Sequence, residues 1–203
     1  NPSHGVSTSS VIISQDGPQA DFGDADPRKR AVSGVAPGAR LIPIRTARTV
    51  ALLSTRCLAR AIEYAVDRGA HVISISMGGV RSRRLREAVR YAETQGVIVC
   101  AAAGNQVRMV VWPARYAEVV ACAACNVARG PWVGSSRGRT VTVSAPGESV
   151  WRARTEPAAG GVAHIVGRGS GTSYAVAHVA GLASLWLSYH GRDALLDRYG
   201  PGR

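Results

Sequence analysis

The chain has almost no lysine and almost no phenylalanine: Lys29 and Phe22 are the single examples among its 203 residues. Aromatic residues make up only 5% of the sequence, and they do not alternate with basic residues as base-stacking surfaces do. No apolar run reaches the roughly 18 residues that read as a membrane-spanning helix. We therefore expect neither nucleic acid nor a membrane as a partner.

The opening segment, Asn1 to Gly5, lacks the basic start and the apolar stretch of a signal peptide. The sequence therefore leaves the compartment unknown.

Positive charge is abundant, with a net charge of +12 carried almost wholly by arginine. The arginines are scattered, with short clusters only at 28–30 and 81–86. This pattern favours a solvated arginine-rich surface, and a nucleic-acid-binding protein remains the alternative that the charge alone suggests. The length suits one domain with a sizeable core.

The four cysteines show no metal-ligand spacing apart from the pair Cys122 and Cys125. That pair lies in an apolar run typical of a strand, where residues three apart point to opposite faces. We expect all four to be buried free thiols, because cysteine behaves as a small hydrophobe in protein cores. The other two are Cys57 and Cys100.

Apolar runs alternate with amphipathic segments through the middle of the chain. The predicted strands are 39–45, 71–76, 97–103, 118–125 and 140–144. The predicted helices are 54–68 and 83–94, with buried helices near 3–13 and from 172 to about 189. Polar or glycine-rich loops are predicted at 16–30 and 157–171.

Strand–helix–strand alternation of this kind predicts an α/β fold, a three-layer αβα sandwich with a mostly parallel sheet. In such sheets the functional site lies at the carboxyl ends of the strands.

Three polar residues stand at the ends of predicted elements. Ser173 follows a Gly-Thr turn at the start of a helix, where unpaired backbone N–H groups favour a nucleophile that forms an oxyanion. His4 could act as a general base near neutral pH, and Asn105 could donate to the oxyanion. Each also has an ordinary interpretation: Thr172 or Ser173 as a helix N-cap, His4 as a surface residue, and Asn105 as a turn former.

Read together, these motifs resemble the subtilisin-like serine proteases, the subtilases. The segment Gly-Thr-Ser-Tyr-Ala-Val-Ala-His-Val-Ala-Gly at 171–181 is similar to the family's nucleophile motif, Ser-His-Gly at 3–5 to its histidine motif, and Ala-Ala-Gly-Asn at 102–105 to its oxyanion motif. Further similar segments are 34–44, 74–79 and 143–147. The resemblance extends over nearly the whole chain and implies catalytic roles for His4 and Ser173 and an oxyanion role for Asn105.

The resemblance also implies a substrate-binding edge at Ser76, Met77 and Gly78, and a cis peptide bond between Trp112 and Pro113. It implies a serine endopeptidase that acts as a monomer on peptide or protein substrates, without a cofactor, and secretion is the family expectation. Calcium occurs in many relatives. The acidic loop from Asp16 to Asp26 is the only candidate for it here, and we expect a solvated loop rather than a metal site.

One part of the family pattern is missing from this sequence. In the family an aspartate ends a strand upstream of the histidine, and none of the three residues before His4 is acidic. We therefore expect residues 1–203 to be a partial subtilase peptidase domain without that strand, weakly active or inactive alone. A non-catalytic, binding member of the family is the alternative.

Overall fold

The computed structural model describes residues 2–15 and 31–202. The acidic segment from Asp16 to Asp26, considered above for calcium, lies outside these residues. The helices are α1 (Pro2–Ile13), α2 (Arg56–Asp67), α3 (Arg83–Thr94), α4 (Thr172–His190) and α5 (Arg192–Tyr199). The strands are β1 (Ala51–Leu52), β2 (Val72–Ile75), β3 (Gly78–Gly79), β4 (Ile98–Ala102), β5 (Val120–Cys125), β6 (Val143–Pro146), β7 (Val150–Ala158) and β8 (Gly161–Gly169).

A parallel sheet forms the centre of the molecule, with strand order β2-β4-β5-β6. Side chains alternate across it: Val99 and Ala101 pack with Leu85 of α3, whereas Cys100 and Cys122 pack with Val176 of α4. This two-residue period places one helix layer on each face of the sheet. The predicted αβα sandwich with a mostly parallel sheet is therefore confirmed.

Helices α2 and α3 form the layer on one face because their apolar residues recur at helical spacing. In α3 the buried residues are Leu85, Ala88, Val89 and Ala92. Ser82 caps this helix by accepting a hydrogen bond from the Leu85 N–H at 3.3 Å. Full burial of a side chain such as Leu85 stabilises the fold by roughly 1.5–3 kcal/mol. The prediction of a helix at 83–94 agrees with the structure at both ends.

One predicted loop, at 157–171, and one predicted strand, at 39–45, were wrong. Residues 157–171 were expected to form a loop, but most of them lie in β8, which pairs antiparallel with β7 in a long hairpin. The glycines of the predicted loop include Gly160 in the hairpin turn and Gly161 at the start of β8, both with positive φ. Helix α5 was not predicted.

The predicted strand at 39–45 is not a strand: the segment is irregular and largely exposed. Its apolar sequence suits a buried strand, but a strand needs hydrogen-bonding neighbours, and no described strand lies beside it. A smaller correction concerns the bounds of one strand: the strand expected at 140–144 lies at Val143–Pro146.

The cysteine prediction was right only in part. Cys100 and Cys122 are buried, but Cys57 is exposed and Cys125 is half-buried. Cys57 lies in the first turn of α2 beside the buried Leu58, so it points away from the core. All four thiols are free.

A cavity of about 880 Å³ runs along β2 in the plane of the sheet. Helix α2 borders it through Ile62, and helix α4 borders it through Leu187. The segment 39–46 borders it opposite β2. Because β2 is the last strand of the sheet, its outer edge faces this cavity, and Ser74 in the middle of β2 is exposed.

In the portion of the chain that the structure describes, no helix combines the length and the apolar character needed to cross a membrane.

Candidate active site

The serine at the Gly-Thr turn is the second residue of α4. The helix N-cap is Gly171, which has no side chain to cap with, so the interpretation of Thr172 or Ser173 as the cap is wrong. The Ser173 side chain is largely buried, with 8% of the residue exposed. Its backbone N–H belongs to the first turn of the helix, whose N–H groups have no acceptor within the helix. This N–H is therefore available to bind an anion formed at the serine.

His4 lies on α1 and faces the serine across 169 positions of sequence. Its Nε2 is 3.1 Å from the Ser173 Oγ. For Nε2 to accept the hydroxyl proton, the imidazole must be neutral and carry its hydrogen on Nδ1. Within residues 2–15 and 31–202, no side chain or carbonyl forms a hydrogen bond with this Nδ1. The imidazole lies where it could accept the serine proton, but no described residue forms the hydrogen bond to Nδ1 that would fix its tautomer.

The surroundings of His4 keep its imidazole neutral. Burial lowers the pKa of His4 below its ordinary value of 6.5, and the positive charge of Arg152 lowers it further. Both effects disfavour the imidazolium form. A neutral imidazole is the form that can take a proton from Ser173.

Asn105 is held by Thr172, the residue before the serine. Its Oδ1 accepts hydrogen bonds from the Thr172 N–H at 2.9 Å and from the Thr172 Oγ1 at 2.8 Å. The Thr172 Oγ1 in turn accepts from the Gly104 N–H at 3.3 Å. Because Oδ1 is occupied by two donors, the amide is oriented with Nδ2 free as a donor. Thr172 was considered only as a cap in the sequence, yet it is the residue that orients Asn105.

The three residues of the expected substrate-binding edge have different surroundings. Ser76 donates from Oγ to the Ser173 carbonyl at 3.2 Å. The Met77 sulfur accepts from the Thr46 hydroxyl at 3.1 Å. The Gly78 N–H donates to the Val50 carbonyl at 2.9 Å, where β1 pairs with β3. In this structure the residue that precedes β1 therefore occupies one backbone donor of the edge.

The peptide bond between Trp112 and Pro113 is cis, as predicted. Gly79 and Trp112 form an isolated antiparallel bridge, which connects this turn to β3.

Two further residues near the serine were missed by the sequence analysis. Tyr174 directly follows Ser173, and its hydroxyl accepts a hydrogen bond from the Arg152 Nε at 2.6 Å. The Arg152 guanidinium also lies over the Tyr174 ring, 5.4 Å from its centre. Arg152 comes from β7, inside the hairpin that was expected in part to be a loop, so nothing in the sequence pattern placed it near His4.

Across the described residues, no group of three or more His, Cys, Asp or Glu side chains could hold a metal ion. The site itself is composed of hydroxyl, imidazole and amide groups, which suit acyl-transfer chemistry.

Sequence comparison agrees with this geometry. The profile of the subtilase family matches residues 1–196. The chain therefore belongs to the subtilase family, a family of serine endopeptidases.

Two curated relatives and one solved structure illustrate the similarity. Thermitase from Thermoactinomyces vulgaris is 37% identical over 165 residues, covering 80% of this chain and 56% of thermitase. Subtilisin E from Bacillus subtilis (strain 168) is 36% identical, covering 78% of this chain and 42% of that protein. The chain thus spans about half the length of these relatives. The S218A mutant of the protease domain of PatA superposes with a TM-score of 0.76 at 32% identity, covering 94% of this chain and 66% of that one.

Proposed function

We propose that this chain forms the catalytic core of a serine endopeptidase in which Ser173 is the nucleophile and His4 is the general base. The observation that carries the proposal is the 3.1 Å separation of the His4 Nε2 and the Ser173 Oγ. This distance lies within the hydrogen-bond range expected of a nucleophile and its base. Asn105, oriented by Thr172, and the Ser173 N–H are proposed to stabilise the oxyanion.

The reaction follows from these roles. The Ser173 Oγ attacks the peptide carbonyl while its proton passes to the His4 Nε2, and the negative charge develops on the carbonyl oxygen. The Asn105 Nδ2 and the Ser173 N–H donate to that oxygen. The imidazolium then protonates the leaving amine, and an acyl-enzyme remains on Ser173. Water then attacks the acyl-enzyme with His4 again as base, and the imidazolium returns the proton to the Ser173 oxygen as the acid product leaves.

We propose that the acid partner of His4 belongs to a strand that fills the cavity beside β2. One residue of a strand occupies about 4.8 by 10 by 3.3 Å, or about 160 Å³, so the 880 Å³ cavity has room for about five or six residues. The edge of β2 that no described strand pairs with and the irregular segment 39–46 would supply its hydrogen-bonding neighbours. A strand parallel to β2 would end at the edge of the sheet where Ser76 contacts Ser173, close to His4.

Labelling with a fluorophosphonate probe tests the proposal, because the probe phosphorylates an activated serine. We expect slow labelling of this chain that is lost in Ser173→Ala and greatly reduced in His4→Ala. Ser184→Ala is the matched control, because Ser184 lies on the same helix and its Oγ only donates to the Ala180 carbonyl. A folded protein that stays unlabelled, both as this chain and with the residues that precede Asn1 in its gene, would overturn the proposal.

A binding protein with a subtilase fold is the second candidate, favoured by one observation. No described residue accepts a hydrogen bond from the His4 Nδ1, and a base without its acid partner loses about 10⁴-fold in turnover. The same labelling experiment separates the two candidates. Peptide binding without labelling in either form would support the binding protein.

The remaining expectations belong to the same proposal. The substrates are peptides or proteins, the protein acts as a monomer, and the reaction proceeds without a cofactor. Secretion remains the expectation from the family. Sedimentation at the concentration used for labelling would test the oligomeric state.

A further inference from the structure

The proposed reaction determines where the residue before the scissile bond lies. A methyl group added to Gly171 would lie 3.4 Å from the Asn105 Nδ2 and 3.8 Å from the Ser173 backbone nitrogen, so the two proposed oxyanion donors border the same space. In that reaction the attacked carbonyl oxygen is bound there, and the chain that leads up to the carbonyl follows the expected edge at 76–78. The side chain next to the carbonyl therefore starts between this edge and the segment that ends at Asn105.

Two glycines border this position. Gly78 is the last residue of the edge, and Gly104 directly precedes Asn105. Neither residue has a side chain of its own to occupy the space between them, which we call the slot. Both glycines are half-buried and therefore remain partly accessible from the surface.

The side chain of Val111 fills the slot. A methyl group on Gly78 would overlap the Val111 Cγ2 and would lie 3.2 Å from the Val111 Cβ. A methyl group on Gly104 would lie 3.3 Å from both methyl carbons of Val111 and 2.9 Å from the Ser136 Oγ. Two separate segments of the chain thus point at the same isopropyl group. Little room remains in the slot for a side chain of the substrate.

Val111 is fixed in the slot, because the backbone around it is held by hydrogen bonds to both bordering segments. Its N–H donates to the Ala103 carbonyl at 3.0 Å. The carbonyl of the next residue, Trp112, accepts from the Gly79 N–H at 2.9 Å. A valine side chain also has few favourable rotamers, because it branches at Cβ. A large substrate side chain would therefore have to displace a packed group, and overpacking of this kind is unfavourable.

We propose that Val111 is a specificity-determining residue that, by filling the slot, restricts the residue before the scissile bond to glycine, alanine or serine. This inference rests on the proposed function for the position of the scissile bond. The recognised substrates are peptides with a small side chain at that position. Leucine or phenylalanine there is excluded, because its side chain would overlap the methyl groups of Val111.

Binding of peptides that represent the acyl half of the substrate tests this without requiring catalysis. The probes are acetylated tetrapeptides with three alanines followed by Ala, Leu or Phe, and their free carboxylate takes the place of the attacked carbonyl. Their affinities are measured by NMR titration of the Gly78 and Gly104 amide signals. We expect the Ala peptide to bind at least about tenfold more tightly than the Leu and Phe peptides.

Four variants make the result specific to Val111. Val111→Gly should raise the affinity for the Phe peptide at least about tenfold and remove the preference for Ala. If this variant does not fold, Val111→Ala gives the same test, with a smaller gain for the Leu peptide. Val111→Thr keeps the branched shape and should keep the preference. Val107→Ala is the matched control, because Val107 lies in the same loop with an exposed side chain, and only its carbonyl bonds to the Ser136 Oγ.

Several results would overturn the inference. They are equal binding of the three peptides, tighter binding of the Leu or Phe peptide, and no binding of the Ala peptide. A preference for Ala that persists when Val111 is shortened would also overturn it, as would a preference that is lost in Val107→Ala.

The outcomes separate the two proposals. Fluorophosphonate labelling of Ser173 in a protein without a preference for Ala would overturn the specificity inference and leave the proposed function standing. A preference for Ala that depends on Val111, in a folded protein that never labels with or without the residues that precede Asn1 in its gene, would overturn the proposed function. The slot would then remain as a binding site for peptides that end in a small residue.

Discussion

Asn105 and His4 flank the same serine, but the two side chains are held very differently. On the Asn105 side, Oδ1 has two donors from Thr172, and the Thr172 hydroxyl also accepts from Gly104. On the His4 side, Nε2 meets Ser173, whereas Nδ1 has no partner among the residues that the structure describes. The side proposed to bind the oxyanion is thus held by hydrogen bonds among described residues, whereas no described residue holds the Nδ1 of the proposed base.

The comparison shows that the two halves of such a site can be built independently. The proposed oxyanion half needs only two elements of the chain: Gly104 and Asn105 follow β4, and Thr172 begins α4, the helix that packs against that strand. In the proposed function, the base half depends on a strand placed at the edge of the sheet where β2 faces the cavity. Changes on one side should therefore leave the geometry of the other side intact.

The largest expected effect concerns completion of the base side. Fluorophosphonate labelling of a form that supplies a carboxylate to His4 should be about 10⁴-fold faster than labelling of this chain alone. The form to test is the chain with the residues that precede Asn1 in its gene. As a control, each acidic residue of the added segment is replaced by its amide, and one replacement should return the rate to that of this chain. No gain in rate on extension would contradict the proposed difference between the two sides.

The next effect concerns the oxyanion side. Asn105→Ala should slow labelling about 10²- to 10³-fold, because it removes a donor to the developing oxyanion. Asn126→Ala is the matched control, since Asn126 accepts from the Gly130 N–H in a turn away from the site. If Asn105→Ala labels as fast as the parent chain, the assignment of Nδ2 as an oxyanion donor is wrong.

A smaller effect is expected at Thr172, which acts only through Asn105. Thr172→Val keeps the shape but removes the hydroxyl that donates to Asn105 and accepts from Gly104, so that the half-buried Gly104 N–H loses its acceptor. We expect about tenfold slower labelling and a loss of about 1–3 kcal/mol in the free energy of unfolding. Thr172→Ser retains the hydroxyl and should recover most of the rate. Equal rates for the Val and Ser variants would show that the hydroxyl does not orient Asn105.

The smallest effect is a shift in pH dependence on the base side. Only neutral His4 can accept the serine proton, so labelling should rise with pH as the imidazole loses its proton. Because the pKa of His4 is lowered by burial and by Arg152, the midpoint should lie below 6.5. Arg152→Gln removes the positive charge and should move the midpoint upward, toward 6.5. Arg154→Gln should leave it unchanged, and a downward shift in Arg152→Gln would contradict the electrostatic explanation.

The sequence predicted the proposed catalytic residues better than the residues that contact and orient them. Short motifs at the ends of helices and strands contain His4, Asn105 and Ser173. The structure brings these ends together at one edge of the sheet. The role of Thr172 was not predictable, because a hydroxyl at a helix start is compatible with a cap until its hydrogen bonds are known. Arg152 and Tyr174 meet through a pairing of β7 with α4 that no local pattern encodes.

The fold shows the same division between local and long-range information. Helix α3 was predicted to the residue, since its apolar spacing and Ser82 cap are local. The segment 39–45 has the composition of a strand, yet strand formation depends on neighbours, which composition does not supply. In the hairpin, the glycines of 160–171 concealed the alternation of β8, because glycine is also the residue typical of loops.

The hydroxyls of Ser3 and Ser10 have a consequence for the order in which the protein loses its structure. They join the helix bearing His4 to β7, a strand of a hairpin in which no residue is fully buried, by two side-chain hydrogen bonds. Partial opening of a protein begins where exposed backbone pairs and few buried contacts hold the chain. Detachment of the hairpin would therefore loosen the histidine from the serine while the central sheet stays folded. Mild heating should thus end reactivity of Ser173 before the global unfolding transition begins.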